Sequence, residues 1–390
     1  MPGFRPRDVH AQRFAVAFDY PVVFCENAFD PRDPTVAWSV AHREPERRHP
    51  LFLVLDEGLC RAQPDLLERA RRCVEAHSES LELRGEPLTI PGGEACKNDP
   101  EIVPRLQSRF AAARLDRQAS VLVIGGGAVL DACGYAASTV HRGLRVVRMP
   151  STVLSQCDGG VGVKNGINAF GGKNFLGTFA PPHAVVNDMA LLRSLPLREA
   201  RAGMAEAVKV ALIKDPELFA WIEHHASLLS EAHPPSVAEL TRRAAALHLR
   251  HIAEGGDPFE TSSARPLDYG HWSAHRLEIA SQHELRHGEA VAIGMLLDAR
   301  YAERAGLLSA DSLARLSTLL GNLGLPRYHR ALAEREGDRP AILAGLDEFR
   351  EHLGGALTVT LLTSIGTKLE VNTIDAELVA EAIRWLEAGG

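Results

Sequence analysis

Six of the seventeen histidines fall within residues 248–287: His248, His251, His271, His275, His283 and His287. An even spread would put about two there. Asp257, Glu260, Asp268 and Glu289 lie among them. Neutral imidazoles mixed with carboxylates suit a divalent metal such as zinc, and a set that leaves one position open suits catalysis. His271/His275 and His283/His287 are each four apart, so each pair is expected to share a helix face. No HExxH occurs, which removes the metalloprotease reading. Any one of these histidines is equally at home on a surface or in a core; it is their density that favours a site. Upstream, GMAEAVK sets Glu206 and Lys209 three apart on an expected helix. A surface ion pair would contribute little, but Met204, Ala205, Val208 and Val210 around it argue for a partly buried pair.

Three further stretches carry phosphate-type chemistry. SVLVIGGGAVLDACG runs a buried strand into Gly125, Gly126 and Gly127 and then into a helix bearing Asp131. Glycines let a backbone approach a phosphate, and a helix N-terminus offers unpaired N–H groups. A plain tight turn would look the same, and the spacing is not GxGxxG. In PGGEACK, Glu94 and Lys97 could grip ribose hydroxyls and a phosphate, or simply form a capped helix start. Residues 149–174 are the densest, with Ser151, Thr152, Asp158, Lys164, Lys173 and Asn174 set among glycines. A segment wrapped round a ligand is preferred there to a flexible loop, which would expose Val161, Val163, Ile167 and Phe175. Only six of the 43 basic residues are lysines, and four of them (Lys97, Lys164, Lys173 and Lys209) fall inside these stretches.

The elements that must position these groups are legible in the periodicity. Residues 14–18 and 22–25 read as strands. Residues 51–55 (LFLVL), 120–124 (SVLVI) and 144–149 read as buried parallel strands. Helices are expected over 64–77, 98–115 and 128–139, giving β-α-β alternation. From about residue 195 the spacing turns helical: 198–213, 217–232, 236–253, 271–282, 288–305 and 310–323. A late strand is expected at 357–362. The class is therefore an α/β, Rossmann-like domain over 1–195 followed by a mostly α-helical domain over 196–390. Apolar residues make up 45% of the 390 residues and charged ones 24%, which is ordinary globular composition. A net charge of −7 excludes a bulk basic field for nucleic acid or anionic membrane. No run is long and apolar enough for a membrane span, no secretory signal is evident, and the six cysteines form no CxxC. A cytoplasmic protein with reduced thiols is expected.

Taken in order, PGGExxK, GGGxxxDxxG, the PST…D…K…N…GKN stretch, AExxK, and GH…H followed by HGEAV resemble the 3-dehydroquinate synthase superfamily, the sugar phosphate cyclases. VGVKNGINAFGGKNFLGTFAPP, RPLDYGHWSAH and FREHLGG are most similar to an EboD-type branch. The resemblance spans roughly residues 50–310. It implies an NAD-binding domain, a helical metal-binding domain and a homodimer. It implies zinc, or another divalent metal, on Glu206, His271 and His287. The NAD contacts it implies are Asp56, Glu94, Lys97, Gly125, Gly126, Gly127, Asp131, Ser151, Thr152, Lys173 and Ser194. It places Asp158, Lys164, Asn174, Lys209, Glu260 and His275 in the active site, and has Arg142 reach into a neighbouring subunit's site. The implied reaction oxidises a secondary alcohol with NAD, eliminates phosphate, returns the hydride and closes the ring by aldol addition.

The departures from that pattern bear on substrate. In 3-dehydroquinate synthases a lysine and an arginine grip the substrate carboxylate. Arg250 stands at the lysine position, and the arginine's place falls near Ala264-Arg265, one residue out of register. Asp268 replaces an asparagine that contacts phosphate, and a C-terminal lysine has no counterpart in Arg350-Glu351-His352. A carboxylate beside a phosphate is unfavourable unless it is protonated or turned away. The opening FDYPVVFCENAFDPRDPTVAW is also more similar to heptulose phosphate cyclases. The expected substrate is therefore a seven-carbon ketose phosphate, sedoheptulose 7-phosphate or a relative. True 3-dehydroquinate synthase is one alternative. A metal-dependent polyol dehydrogenase of similar fold is another, although such enzymes usually carry Asp where Glu206 stands.

Overall fold

The computed structural model describes residues 9–259, 266–337, 339–352 and 357–390. Its first half runs β1 (Val22–Cys25), α1 (Thr35–Ala41), β2 (His49–Asp56), α2 (Glu57–Ala62), α3 (Leu66–Ala76), β3 (Leu81–Leu83), β4 (Leu88–Ile90), α4 (Ala95–Asn98), α5 (Ile102–Ala112), β5 (Ser120–Gly125), α6 (Gly127–Thr139), β6 (Arg145–Pro150), α7 (Val153–Cys157), β7 (Lys164–Ala169), β8 (Gly172–Phe179) and β9 (Ala184–Asp188). Strands β1-β9-β6-β5-β2-β3 form a parallel sheet, and β4 also pairs with β2. The apolar runs of β2 and β5 are buried throughout from Leu51 to Leu55 and from Val121 to Ile124, because helices cover both faces. Gly125 makes the turn possible. A Cβ there would stand 2.7 Å from Val129 Cγ1, so only glycine lets α6 start this close to the strand end.

The second half is α8 (Leu197–Lys214), α9 (Pro216–Ser230), α10 (Pro234–Glu254), α11 (His271–Ala280), α12 (His287–Arg304) and α13 (Ala310–Asn322). It continues through β10 (Arg335–Glu336), β11 (Arg339–Pro340), α14 (Ala344–His352), the antiparallel pair β12 (Val359–Ser364) and β13 (Thr367–Val371), and α15 (Ala376–Glu387). Its core is continuous from Met204 on α8 through Leu296 on α12 to Leu361 on β12. α12 is apolar almost all round and sits at the centre of that core.

Four local expectations change. Residues 14–18 are not a strand: Phe14, Val16 and Phe18 are exposed, because their alternating apolar pattern finds no strand to pair with. The helix expected over 98–115 is broken into α4 and α5. Asp99 is extended ahead of Pro100, as the residue before a proline prefers. The glycine-dense stretch contains a β-hairpin, β7–β8; Val161 and Val163 are buried, but Phe175 is exposed and pairs edge-on with exposed Phe170 at 5.5 Å. His283 does not share a helix face with His287. It is exposed in a left-handed turn at φ 62° between α11 and α12.

One buried histidine makes the fold acid-sensitive. His183, just ahead of β9, is buried, with Nε2 3.0 Å from the Val40 carbonyl oxygen and its ring 4.6 Å from His42. Burial, with smaller contributions from His42 and Arg145, outweighs the Val40 contact and holds its pKa at about 4. A histidine whose folded pKa is depressed contributes stability that is complete above its unfolded pKa and is lost as pH falls through the folded one. Urea midpoints should therefore drop between pH 7 and pH 5, with roughly 2 kcal/mol of the loss due to His183. His183→Asn should remove that share. An unchanged pH slope in the variant would show that His183 does not set it.

Candidate active site

Lys209 and Glu206 lie on one face of α8, and both are almost wholly buried. Their side chains pair directly, and Lys209 Nζ lies 3.3 Å from Asp158 Oδ2. Asp158 ends α7 and faces His248 on α10, Nδ1 to Oδ1 at 3.3 Å. Burial alone would strip the Lys209 proton, but Glu206 and Asp158 outweigh it and hold the group above the ordinary lysine range. Burial likewise would raise the Glu206 carboxyl; Lys209 and then His287 pull it well below the usual carboxylate range. Both groups are thus ionised.

The two histidines facing Glu206 come from helix starts. His271 opens α11 and is held there by Asp298 of α12, which accepts from Gly270 N at 3.0 Å and Trp272 Nε1 at 2.8 Å. His287 opens α12, where Glu289 reaches back to the Arg286 N–H at 2.8 Å. Gly288 lets that helix end abut α8: a Cβ would lie 1.8 Å from the Ala202 carbonyl oxygen, one turn from Glu206. His271 donates from Nδ1 to the Tyr269 carbonyl at 3.1 Å, and His287 from Nδ1 to Glu278 Oε2 at 3.0 Å. Both Nε2 atoms are left facing Glu206 Oε1, at 3.7 and 3.4 Å. Burial, then Lys209 and the neighbouring rings, keeps His271 well below the ordinary histidine range and so neutral. Burial opposes a proton on His287 too, but Glu278 and Glu206 outweigh it and raise that ring to about 9.

This donor set fits a divalent metal. The Glu206 carboxylate is buried and is met by Lys209 and by the Nε2 atoms of both histidines. The Nε2–Oε1 separations are close to the roughly 3.3 Å edge of a tetrahedron whose metal–ligand bonds are about 2.0–2.1 Å. Each imidazole is pinned at its other nitrogen by an acceptor, as in metal sites generally. His275, Glu278 and His287 form a second possible group. It fits less well, because Glu278 already accepts from His287 and from Lys173.

A second cluster lies between the sheet and the hairpin. Lys97 on α4 is buried, 3.0 Å from Asp131 Oδ2 on α6, and also donates to Asn174 Oδ1 on β8. Asn174 sits at φ 55° and donates its N–H to Asn168 Oδ1 at 2.8 Å; Asn168 Nδ2 reaches Glu94 Oε2 at 2.8 Å. Glu94 occupies the N-cap position of α4 without capping it, so the capped-helix alternative falls away. Lys173 lies 3.5 Å from Glu94 and 3.2 Å from Glu278. Gly126 occupies the N-cap position of α6, whose first turn has no side-chain cap. Ser151 follows β6 and donates its N–H to the Gly125 carbonyl, and Thr152 caps α7 in a box with Ser155. Asp56 caps α2 beside Gly92.

The other expected residues are placed at varying removes from these two clusters. Ser194 accepts from Gln63 Nε2 at 2.9 Å. Lys164 and Arg142 are exposed, Arg142 in a left-handed turn after α6. Arg250 is exposed on α10, in a cavity of about 340 Å³ shared with Lys214, His251 and Glu254. Asp268 is half-buried ahead of α11 and acts electrostatically on Lys209. His275 packs its ring 5.4 Å from His271 and 5.9 Å from His287. Glu260 and Arg265 lie outside the described residues.

Two residues escaped the motif reading, and His248, named there only as one of the cluster, meets Asp158. Glu278 meets His287; its signal was the i, i+4, i+7 spacing from His271 and His275 on one helix face. Arg148, in β6, is 1% exposed and donates to the carbonyls of Gly160, Gly162 and Lys164 and to Asn165 Oδ1. It shapes the chain between Asp158 and the hairpin, and its signal was a charge inside an otherwise buried strand.

A parallel sheet with a glycine turn, joined to helices that converge a carboxylate and two histidines, defines a two-part enzyme scaffold with a cofactor-type cleft beside a metal-type centre. Residues 87–202 match the 3-dehydroquinate synthase N-terminal family and residues 203–341 the 3-dehydroquinate synthase C-terminal family. The chain belongs to the 3-dehydroquinate synthase family of sugar phosphate cyclases. It is 36% identical to a 3-dehydroquinate synthase of Mesorhizobium japonicum over 89% of this chain and 90% of that one. It is 35% identical to a 2-epi-5-epi-valiolone synthase of Streptomyces glaucescens over 94% of this chain and 89% of that one. Among solved structures, the 2-epi-5-epi-valiolone synthase of Streptomyces hygroscopicus subsp. jinggangensis, with NAD+ and Zn2+ bound, superposes with a TM-score of 0.85 at 29% identity. That match covers 98% of this chain and 100% of that one.

Proposed function

We propose that this chain is an NAD- and zinc-dependent cyclase acting on a seven-carbon ketose phosphate, with sedoheptulose 7-phosphate or a relative as substrate. The observation that carries the metal-dependent part is the buried Glu206 carboxylate facing Nε2 of two histidines pinned at Nδ1. Glu206, His271 and His287 would hold the metal, and Asp56, Glu94, Lys97, the Gly125–Gly127 turn, Asp131, Ser151, Thr152, Lys173 and Ser194 the NAD. When bound, the two groups supply Lewis acidity at a substrate hydroxyl and a reversible hydride acceptor.

The chain's own groups do the rest. Lys209, kept charged between Glu206 and Asp158, orients a substrate oxygen and stabilises negative charge there. Asp158 and His248 form a pair that can pass a proton at that oxygen. His275, Lys164 and Asn174 are assigned to the leaving phosphate, with Glu260 ordering the polar network. Arg142, exposed in its turn, would complete the site of a second copy, so a homodimer is part of the reading. Six unpaired cysteines support a cytoplasmic location, and no described helix is long and apolar enough to cross a membrane.

The choice of substrate rests on Asp268. Its charge acts on Lys209, within the same polar network. A substrate carboxylate brought beside it would cost several kcal/mol if both stayed buried and ionised, whereas a hydroxymethyl group can donate a hydrogen bond to it. Arg250 and its neighbour Lys214 favour the second reading, a carboxylated substrate and true 3-dehydroquinate synthase. Phosphate release separates the two. Sedoheptulose 7-phosphate should release one equivalent per product with no net absorbance at 340 nm. Release from the carboxylated precursor alone would reverse the choice, and accumulating NADH with polyols would mark a dehydrogenase.

A further inference from the structure

Glu278 touches both halves of the candidate site. It is buried on α11, its Oε2 accepts from His287 Nδ1 at 3.0 Å, and its two oxygens lie 3.2 and 3.3 Å from Lys173 Nζ. Lys173 belongs to the β7–β8 hairpin and also pairs with Glu94 at 3.5 Å. A single carboxylate therefore orients an imidazole toward Glu206 and restrains a lysine of the cofactor cleft. The two jobs compete. An anionic ligand that draws Lys173 away leaves the Glu278 charge wholly to His287, and a fully held imidazole is the better metal donor.

We propose that Glu278 is a positioning residue that couples the two sites, so that NAD+ in the cleft tightens zinc binding and zinc tightens NAD+ binding by the same factor. This rests on the cofactor reading above. Reciprocity follows from linkage, and couplings of this kind are typically about 5-fold or more.

The test measures zinc affinity by chelator competition with and without saturating NAD+, in the full-length protein. Wild type should bind zinc at least roughly 5-fold more tightly with NAD+. Glu278→Gln keeps the shape and an acceptor but not the charge; its NAD+ effect should fall to a factor near one, with weaker zinc binding overall. Lys173→Ala should also lose the coupling, but in the opposite way, binding zinc without NAD+ about as tightly as wild type does with it. A merely structural Glu278 would not produce that second result. Equal coupling in wild type and both variants overturns the proposal, as does a wild type that binds both ligands with a factor of one. A wild type that binds no zinc or no NAD+ overturns the cofactor reading and the coupling together.

Discussion

His287→Ala is expected to leave the protein folded but without its metal: zinc should drop from about one per chain to a small fraction of that, and phosphate release should fall by roughly three orders of magnitude or more. Its Nε2 faces Glu206 Oε1 at 3.4 Å, within the group formed by Glu206, His271 and His287. Several kcal/mol of charge stabilisation at the substrate oxygen would go with it. The matched control is His283→Ala. That residue was expected on the same helix face but is exposed in a turn, so its loss should leave metal content unchanged. Elemental analysis of the two dialysed variants decides the matter. Full zinc in His287→Ala would remove His287 from the site.

Lys209→Ala is expected to destabilise the metal-free protein by about 3–5 kcal/mol, because it removes the closest cation from buried Glu206, leaving His287 as its remaining charged partner, and leaves Asp158 half-paired. Zinc should restore much of that loss, since a cation returned among Glu206, His271 and His287 replaces the missing positive charge. The measurement is urea unfolding of wild type and variant, each with chelator and with zinc. The expected signature is a zinc-dependent shift larger in the variant than in wild type. A loss below about 1 kcal/mol in chelator would show that the pair is not the buried charge balance described here. Activity should be lost in both conditions, because the metal cannot substitute for an ammonium aimed at the substrate.

Much of this was written in local pattern. Continuous apolar runs such as LFLVL and SVLVI identified buried strands, and the 3.6-residue spacing after residue 195 identified the helices, because both depend on neighbours a few residues away. The apolar flanks of Glu206 and Lys209 already pointed to burial on α8. Local pattern misled where its partner was missing: residues 14–18 alternate like a strand but have nothing to pair with, and Phe175 is apolar yet lies outside the core.

What only the tertiary structure decided is which distant groups meet. Six clustered histidines are equivalent by composition. The packing of α12 against α8 and of α11 against α12 turns two of them toward Glu206, that of α10 against α8 brings a third to Asp158, and His283 is left exposed. The doubled contact of Glu278, with His287 on one side and the hairpin's Lys173 on the other, has no trace in local spacing beyond a shared helix face. Such a contact depends on how the β7–β8 hairpin and α11 are brought side by side, which is fixed by the packing of whole faces rather than by any short run of residues.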